Sequence, residues 1–95
     1  AVLGTHTHVQ TADSRILHKG TAYISDVGMT GPWDSVIGIE RDRAVRKFVT
    51  GMPSEFVVAK GPVCLCAVVL QVDEATGGTR SIERIFQIWD MMGNE

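Results

Sequence analysis

The sequence has no apolar run approaching the roughly 18 residues that a membrane-spanning helix needs. Its longest candidate, Val63 to Val72, is interrupted by Gln71 and has the length of a strand. A helical membrane protein is excluded, and the chain is expected to be soluble with no membrane partner. Charge of one sign is not in excess either: 9 Lys and Arg stand against 11 Asp and Glu, a formal net charge of -2. Such a surface offers no basic field to a phosphate backbone, so no stable nucleic-acid complex is expected. Cysteine is scarce, limited to Cys64 and Cys66, and no basic-then-apolar signal segment is found. That pattern suits a reducing compartment, and a cytoplasmic location is expected.

What is present is ordinary globular composition, with 44% hydrophobic and 21% charged residues, which excludes a disordered tail. A chain of 95 residues removes only about 60 to 68% of its unfolded surface from water, enough for one modest core. A single domain over residues 1–95 is expected. The chain opens on the apolar Ala1-Val2-Leu3 without an initiator methionine, and it reads like the middle of a domain.

Hydrophobic patterning then predicts the elements. Ala1 to Leu3 reads as a short strand emptying into a polar loop that continues to Ser14, with His6 and His8 at the strand end. Thr21 to Val27 is rich in β-branched and aromatic residues and is closed by Gly28, which predicts a second strand. Gly28 to Asp34 holds two glycines and a proline in seven positions, the chemistry of a shaped loop. Between Glu40 and Thr50, Ala44, Val45, Phe48 and Val49 fall on one side and the charged residues elsewhere. This spacing predicts an amphipathic helix stopped by Gly51 and Pro53. The apolar segments Phe56 to Ala59, Val63 to Val72 and Thr79 to Trp89 follow, the last two forming a hairpin around a glycine turn. Ile82, Ile85, Phe86 and Ile88 do not alternate cleanly, which a bulge near Arg84 would reconcile. The expected fold is α+β: a mixed, largely antiparallel sheet with one main amphipathic helix and no repeat or linker.

Few residues offer chemistry. His6 and His8, two apart at a strand end, would project to one side, and imidazole is a good ligand for zinc, iron and copper. The alternative is a pair of loop histidines bonding threonine and water. Gly4 permits a tight exit, and Thr5 and Thr7 are placed to hydrogen-bond neighbours or groups behind the ligands. Asp26 and Asp34 would either orient histidines or water, or simply form turns. Trp33 would either stack on a base or act as a lid or packing residue. Cys64 and Cys66 share a strand face, and their apolar neighbours favour two small buried hydrophobes over metal ligands. Arg41, Arg43, Arg46 and Lys47 read as a solvated helix face rather than a basic patch.

The segments Gly4-Thr5-His6-Thr7-His8-Val9-Gln10-Thr11-Ala12-Asp13, Gly20 to Pro32, Asp34-Ser35-Val36-Ile37-Gly38, Ala59-Lys60-Gly61-Pro62-Val63 and Ser81-Ile82-Glu83-Arg84-Ile85 resemble the C-terminal part of the YmdB-type metallophosphoesterases. These are a branch of the calcineurin-like phosphoesterases, and the likeness covers essentially the whole chain. The resemblance implies the C-terminal part of an α/β/β/α sandwich and a bacterial cytoplasmic phosphodiesterase acting on 2',3'-cyclic nucleotides or related phosphodiesters. It implies two divalent or trivalent metal ions (Fe, Mn or Zn), with His6 and His8 each serving one ion. Thr5, Thr7, Asp26 and Trp33 become candidates for supporting the ligands or lining the substrate loop. The family's remaining ligands, an Asp, a Glu, an Asn followed by a His, and an earlier lone His, precede the matching segment. His18 lies in a variable-looking turn and is not expected to replace them. Weak or no metal binding and negligible hydrolysis are therefore expected of this chain alone. Half a sandwich leaves an apolar face open, so a homo-oligomer, or cover by an N-terminal part, is expected. The competing expectation is a non-catalytic, self-associating structural or binding module.

Overall fold

The computed structural model describes residues 1–53, 55 and 57–90. Their elements run β1 (Val2–Leu3), β2 (Arg15–Ile16), β3 (Ala22–Ile24), β4 (Gly31–Pro32), α1 (Arg41–Thr50), β5 (Val63–Val72) and β6 (Thr79–Trp89). The architecture is α+β, with the strands divided between two three-stranded sheets rather than gathered in one. In the first, β3 is central, parallel to β1 and antiparallel to β2. Ala22 and Ile24 of β3 are fully buried. In the second, β5 lies between β4 and β6 and is antiparallel to both.

The hairpin forms where the apolar runs predict it, with Cys64 opposite Ile88 and Cys66 opposite Phe86. The expected irregularity is not near Arg84, which pairs in register with Val68; the register shifts between Gln71 and Val72, beside the turn. Alternation in β6 fails for a different reason. Ile85 and Phe86 are neighbours on opposite faces of the strand, and both faces carry apolar residues. Such two-sided apolar strands are characteristic of sheets covered on both sides. Here Cys64 and Cys66 are buried, while their cross-strand partners Ile88 and Phe86, Val69 on the other face and Trp89 at the strand end stay exposed.

One expectation is corrected, and one strand is added to those expected. The Gly28 to Asp34 loop contains β4, because Gly31 and Pro32 add an edge strand to β5, a position where the missing proline N–H is tolerated. The polar loop reaching Ser14 leads directly into β2, which pairs back onto β3. Of the Phe56 to Ala59 segment, Phe56 lies outside the described residues, and Val58 makes an isolated bridge to Ile39.

The sheets are tied together by side chains. The Gln10 amide shares its hydrogens among the carbonyls of Val27 (3.2 Å), Ala67 (3.2 Å) and Ile85 (3.1 Å). The Thr79 N–H donates to the Gly20 carbonyl at 2.8 Å, and Arg84 donates to the Thr11 carbonyl at 3.3 Å. Helix α1 ends as predicted, with Gly51 left-handed and its N–H on the Lys47 carbonyl. Its apolar side packs on little: Phe48 is 88% and Val49 79% exposed. The resulting body is a slab of 53 × 38 × 17 Å with a Cα radius of gyration of 17.2 Å, against about 12 Å for a compact chain of this length.

Gly4 sits where β1 leaves the sheet. Its N–H donates to the Ile24 carbonyl at 3.0 Å, and its own carbonyl accepts from Val27 at 2.9 Å. A methyl group there would strike the Ser25 carbonyl oxygen, a backbone atom that cannot rotate away. Gly4→Ala is expected to destabilise the chain by about 1–3 kcal/mol or more, read as a lower urea midpoint; an unchanged midpoint would contradict this crossing.

Candidate metal-binding loop

The loop after β1 is organised from behind by one carboxylate. Asp26, two residues past β3, is 2% exposed. Its Oδ2 accepts from the Thr7 N–H at 2.6 Å, the Thr7 hydroxyl at 2.7 Å and the His6 N–H at 2.9 Å. Its Oδ1 accepts from the Gly28 N–H at 2.9 Å. The Asp26 main chain is also paired, with Thr11 N–H donating to its carbonyl and its N–H donating to Thr11 Oγ1, both at 3.0 Å. The hydroxyl and N–H of Thr7, followed by the Gly28 N–H, hold the Asp26 carboxyl down at a pKa of about 2, against the opposing effect of burial. Asp13 is likewise lowered to about 2 by the Ser25 hydroxyl and Thr11, which fixes the far end of the loop.

This clamp, and not strand alternation, brings the histidines together. β1 ends at Leu3, so His6 and His8 both belong to the loop. They line one exposed pocket with Thr5, Gly28 and Met29. Thr7, by contrast, is committed to Asp26. Asp26 therefore orients the loop backbone and does not reach the imidazole rings through any observed hydrogen bond. Gly28, at φ 95°, must be glycine, since a Cβ would sit 2.9 Å from both Cys66 Sγ and the Gln10 nitrogen. His8 is left-handed at φ 69°, and its Nδ1 lies 3.0 Å from the carbonyl oxygen of Ile37, itself left-handed at φ 48°. Each such non-glycine conformation costs on the order of 1–2 kcal/mol.

Beside the pocket is a cavity of about 170 Å³ walled by His8, Met29, Trp33, Ile37, Cys66 and Phe86, among others. Trp33 is half exposed there and meets Phe86 edge-on, with ring centroids 5.3 Å apart at 83°. Cys64 and Cys66 are free thiols and buried, as their apolar neighbours predicted. Burial and the adjacent Cys64 push the Cys66 thiol up, away from the reactive thiolate. Asp34 pairs with Arg41 at 3.4 Å, and Arg43 with Glu40 at 3.6 Å and Glu55 at 3.8 Å, so the helix arginines face solvent and carboxylates. His18 is exposed in the turn between β2 and β3. Among the described residues no three His, Cys, Asp or Glu side chains are grouped to hold an ion, and no helix is long and apolar enough to cross a membrane.

The sequence reading missed Gln10 as the tie between sheets and Ser35 as the support of the turn facing His8. For the latter, Gly38 within Val36-Ile37-Gly38-Ile39 was an available hairpin signal.

The chain matches the family described as YmdB-like protein over residues 1–85. It is 55% identical over 85 residues to the 2',3'-cyclic-nucleotide 2'-phosphodiesterase of Bacillus subtilis (strain 168), which covers 90% of this chain and 32% of the relative. A crystal structure of a novel phosphatase from Mycoplasma pneumoniae superposes with a TM-score of 0.89 at 42% identity, covering 95% of this chain and 33% of that one. The crystal structure of a hypothetical protein from Thermus thermophilus superposes at 0.80 with 43% identity, covering 93% and 33%. The chain spans about a third of the length of these relatives.

Because the folded pKa of Asp26 lies near 2, below its usual 3.8, its ionised form stabilises the fold above about pH 3.8 and that contribution is lost as pH falls through about 2. The amide resonances of His6 and Thr7 are expected to move together in that window. In Asp26→Asn, which places an NH₂ among donors, the transition should vanish and the urea midpoint at pH 7 should fall. Retention of the wild-type midpoint would count against the clamp.

Proposed function

The chain belongs to the YmdB-like family of phosphoesterases, and from that premise we propose that it forms the histidine-bearing part of a phosphodiesterase site for 2',3'-cyclic nucleotides or related small phosphodiesters. The observation that carries this reading is the Asp26-clamped loop, which presents His6 and His8 to one pocket. Two neutral imidazoles fit iron, manganese or zinc as donors, one to each ion of a binuclear pair. When bound, such ions supply an activated water and offset charge on the phosphoryl oxygens. His6 and His8 leave most coordination positions open, so oxygen ligands have to come from outside the described residues. The relatives' remaining length is the natural source. Thr5 lines the same pocket, and Trp33 shares the adjacent cavity with His8, suited to contact the organic part of a phosphodiester. Two unpaired thiols are compatible with a cytoplasmic setting.

On this reading the chain alone binds metal weakly and turns over little substrate. Calorimetric titration with Mn²⁺ or Zn²⁺ is expected to show weak binding that falls at least about tenfold in His6→Ala and in His8→Ala. The same substitutions, made in a polypeptide carrying the relatives' full length, should abolish hydrolysis of 2',3'-cyclic AMP. Variants that bind metal as the parent does would remove these histidines from the assignment.

A second reading, a non-catalytic self-associating module, is favoured by the exposed Phe48 and Val49 of α1 and by Val69 and Trp89 on the hairpin. Self-association is compatible with either reading. Light scattering of the chain should give a mass that rises with concentration, whereas a monomer at the highest concentrations would rule the oligomer out.

A further inference from the structure

Among the described residues, eight have positive φ: six are glycines, and the other two, His8 and Ile37, are hydrogen-bonded to each other. A β-branched residue in the left-handed region is a true outlier, held only when its surroundings demand it. Ile37 is held on several sides. Val36 and Ile39 exchange both main-chain hydrogen bonds at 2.9 Å, closing a two-residue turn with Ile37 and Gly38 at its corners. Positive φ at both corners is the signature of a type I′ turn, which normally selects Asn-Gly. Ser35 Oγ donates to the Pro32 carbonyl at 2.9 Å and accepts from the Gly38 N–H at 3.0 Å. The Ala59 N–H donates to the Gly38 carbonyl at 3.0 Å.

We propose that the Ile37–Gly38 turn is a positioning device for His8. The Ile37 carbonyl takes the Nδ1 proton and thereby leaves Nε2 as the unprotonated nitrogen available to a divalent cation. The chemistry is forced by the partner: a carbonyl oxygen carries no proton, so the Nδ1 that meets it must be the donor. In neutral imidazole the other nitrogen is then a lone pair. Free histidine keeps its proton mainly on Nε2, so the contact reverses the default tautomer. A carbonyl that fixes tautomer and ring orientation is a recurring device behind metal-ligating histidines. Here it operates through a backbone atom whose direction is set by Ser35 and the turn, 29 residues away in sequence. The cation rests on the function proposed above; the tautomer does not.

Long-range ¹H–¹⁵N correlation spectra of the histidine-labelled, metal-free chain, recorded above the imidazole titration, test this directly. His8 should show the Nδ1–H tautomer, and Ile37→Gly, which keeps the carbonyl and relaxes the backbone, should preserve it. Ile37→Pro cannot adopt positive φ and should return His8 to a mixed or Nε2–H population, with β5–β6 amide signals unchanged as the control for folding. Mn²⁺ affinity should fall about tenfold in the same variant. An Nε2–H tautomer in the parent chain, or an unaltered Nδ1–H tautomer in Ile37→Pro, would overturn the proposal. If the tautomer is as stated but Mn²⁺ broadens neither His6 nor His8, the positioning device stands and the metal reading falls.

Discussion

Everything the pocket presents depends on where the Asp26 carboxylate sits. β3 carries it to the end of a buried strand, and two residues later four donors from Thr7, His6 and Gly28 converge on its oxygens. An ionised group taken out of water at this depth persists only when its lone pairs are met, and these are. The arrangement turns a short polar loop, which has no ladder of its own, into a fixed platform. Gly4 lets the loop leave β1 without striking Ser25, and Gly28 lets it pass over Cys66. His6 inherits its placement from a main-chain N–H held by a charge, and the His8 ring is engaged at Nδ1 alone, by the Ile37 carbonyl.

The platform in turn rests on the joint between two small sheets. The first sheet has little strand length to stand alone, since β1 and β2 are two residues each and β3 three, and the second is a long hairpin with only the two-residue β4 added. Gln10 follows the histidine loop directly and ties the chain after β3 to both strands of the hairpin. The long hairpin thereby acts as the support against which the loop, the Trp33 segment and the thiol-lined cavity are assembled. The thiols contribute packing on the inner face, and the upward push on Cys66 keeps it protonated and without a nucleophilic part.

The hairpin and helix were legible because their signals are local and long. The continuous apolar run of β5, a turn rich in glycine, and an i, i+4 apolar stripe ending at Gly51 each specify an element without reference to the rest of the chain. The pocket was legible only through likeness to a family. His6 and His8 were identified, but the reason given, alternation along a strand, is not the one that operates. The operative contact is with a residue 20 positions away. Gln10 reaches partners 57 and 75 positions away, and the turn that meets His8 places isoleucine where turn chemistry asks for asparagine. No window of sequence contains these facts, because each is a non-local hydrogen bond that overrides a local preference. The same holds for β4: Gly31 and Pro32 have loop chemistry and become a strand only because β5 offers a free edge.

The clamp also limits what Asp26 itself can do. Asp26 is the carboxylate bonded to His6 and Thr7, yet Oδ2 already accepts three donors and Oδ1 one, so binding an ion there would mean dismantling the platform that holds the loop. Its fixed negative charge favours a cation nearby without supplying a bond to it. The slab is 17 Å thick, little more than one sheet and the loops that cover one of its faces, since packed sheets alone stand about 10 Å apart. Phe48 and Val49 of α1 and Val69 of the hairpin lie outside that packing and are exposed. In the solved relatives the matching segment is a third of the chain. The histidine loop is held differently: Asp26 fixes it from within residues 4 to 28, while the turn that meets His8 is anchored by the Ala59 N–H on the Gly38 carbonyl and Gln10 by the hairpin.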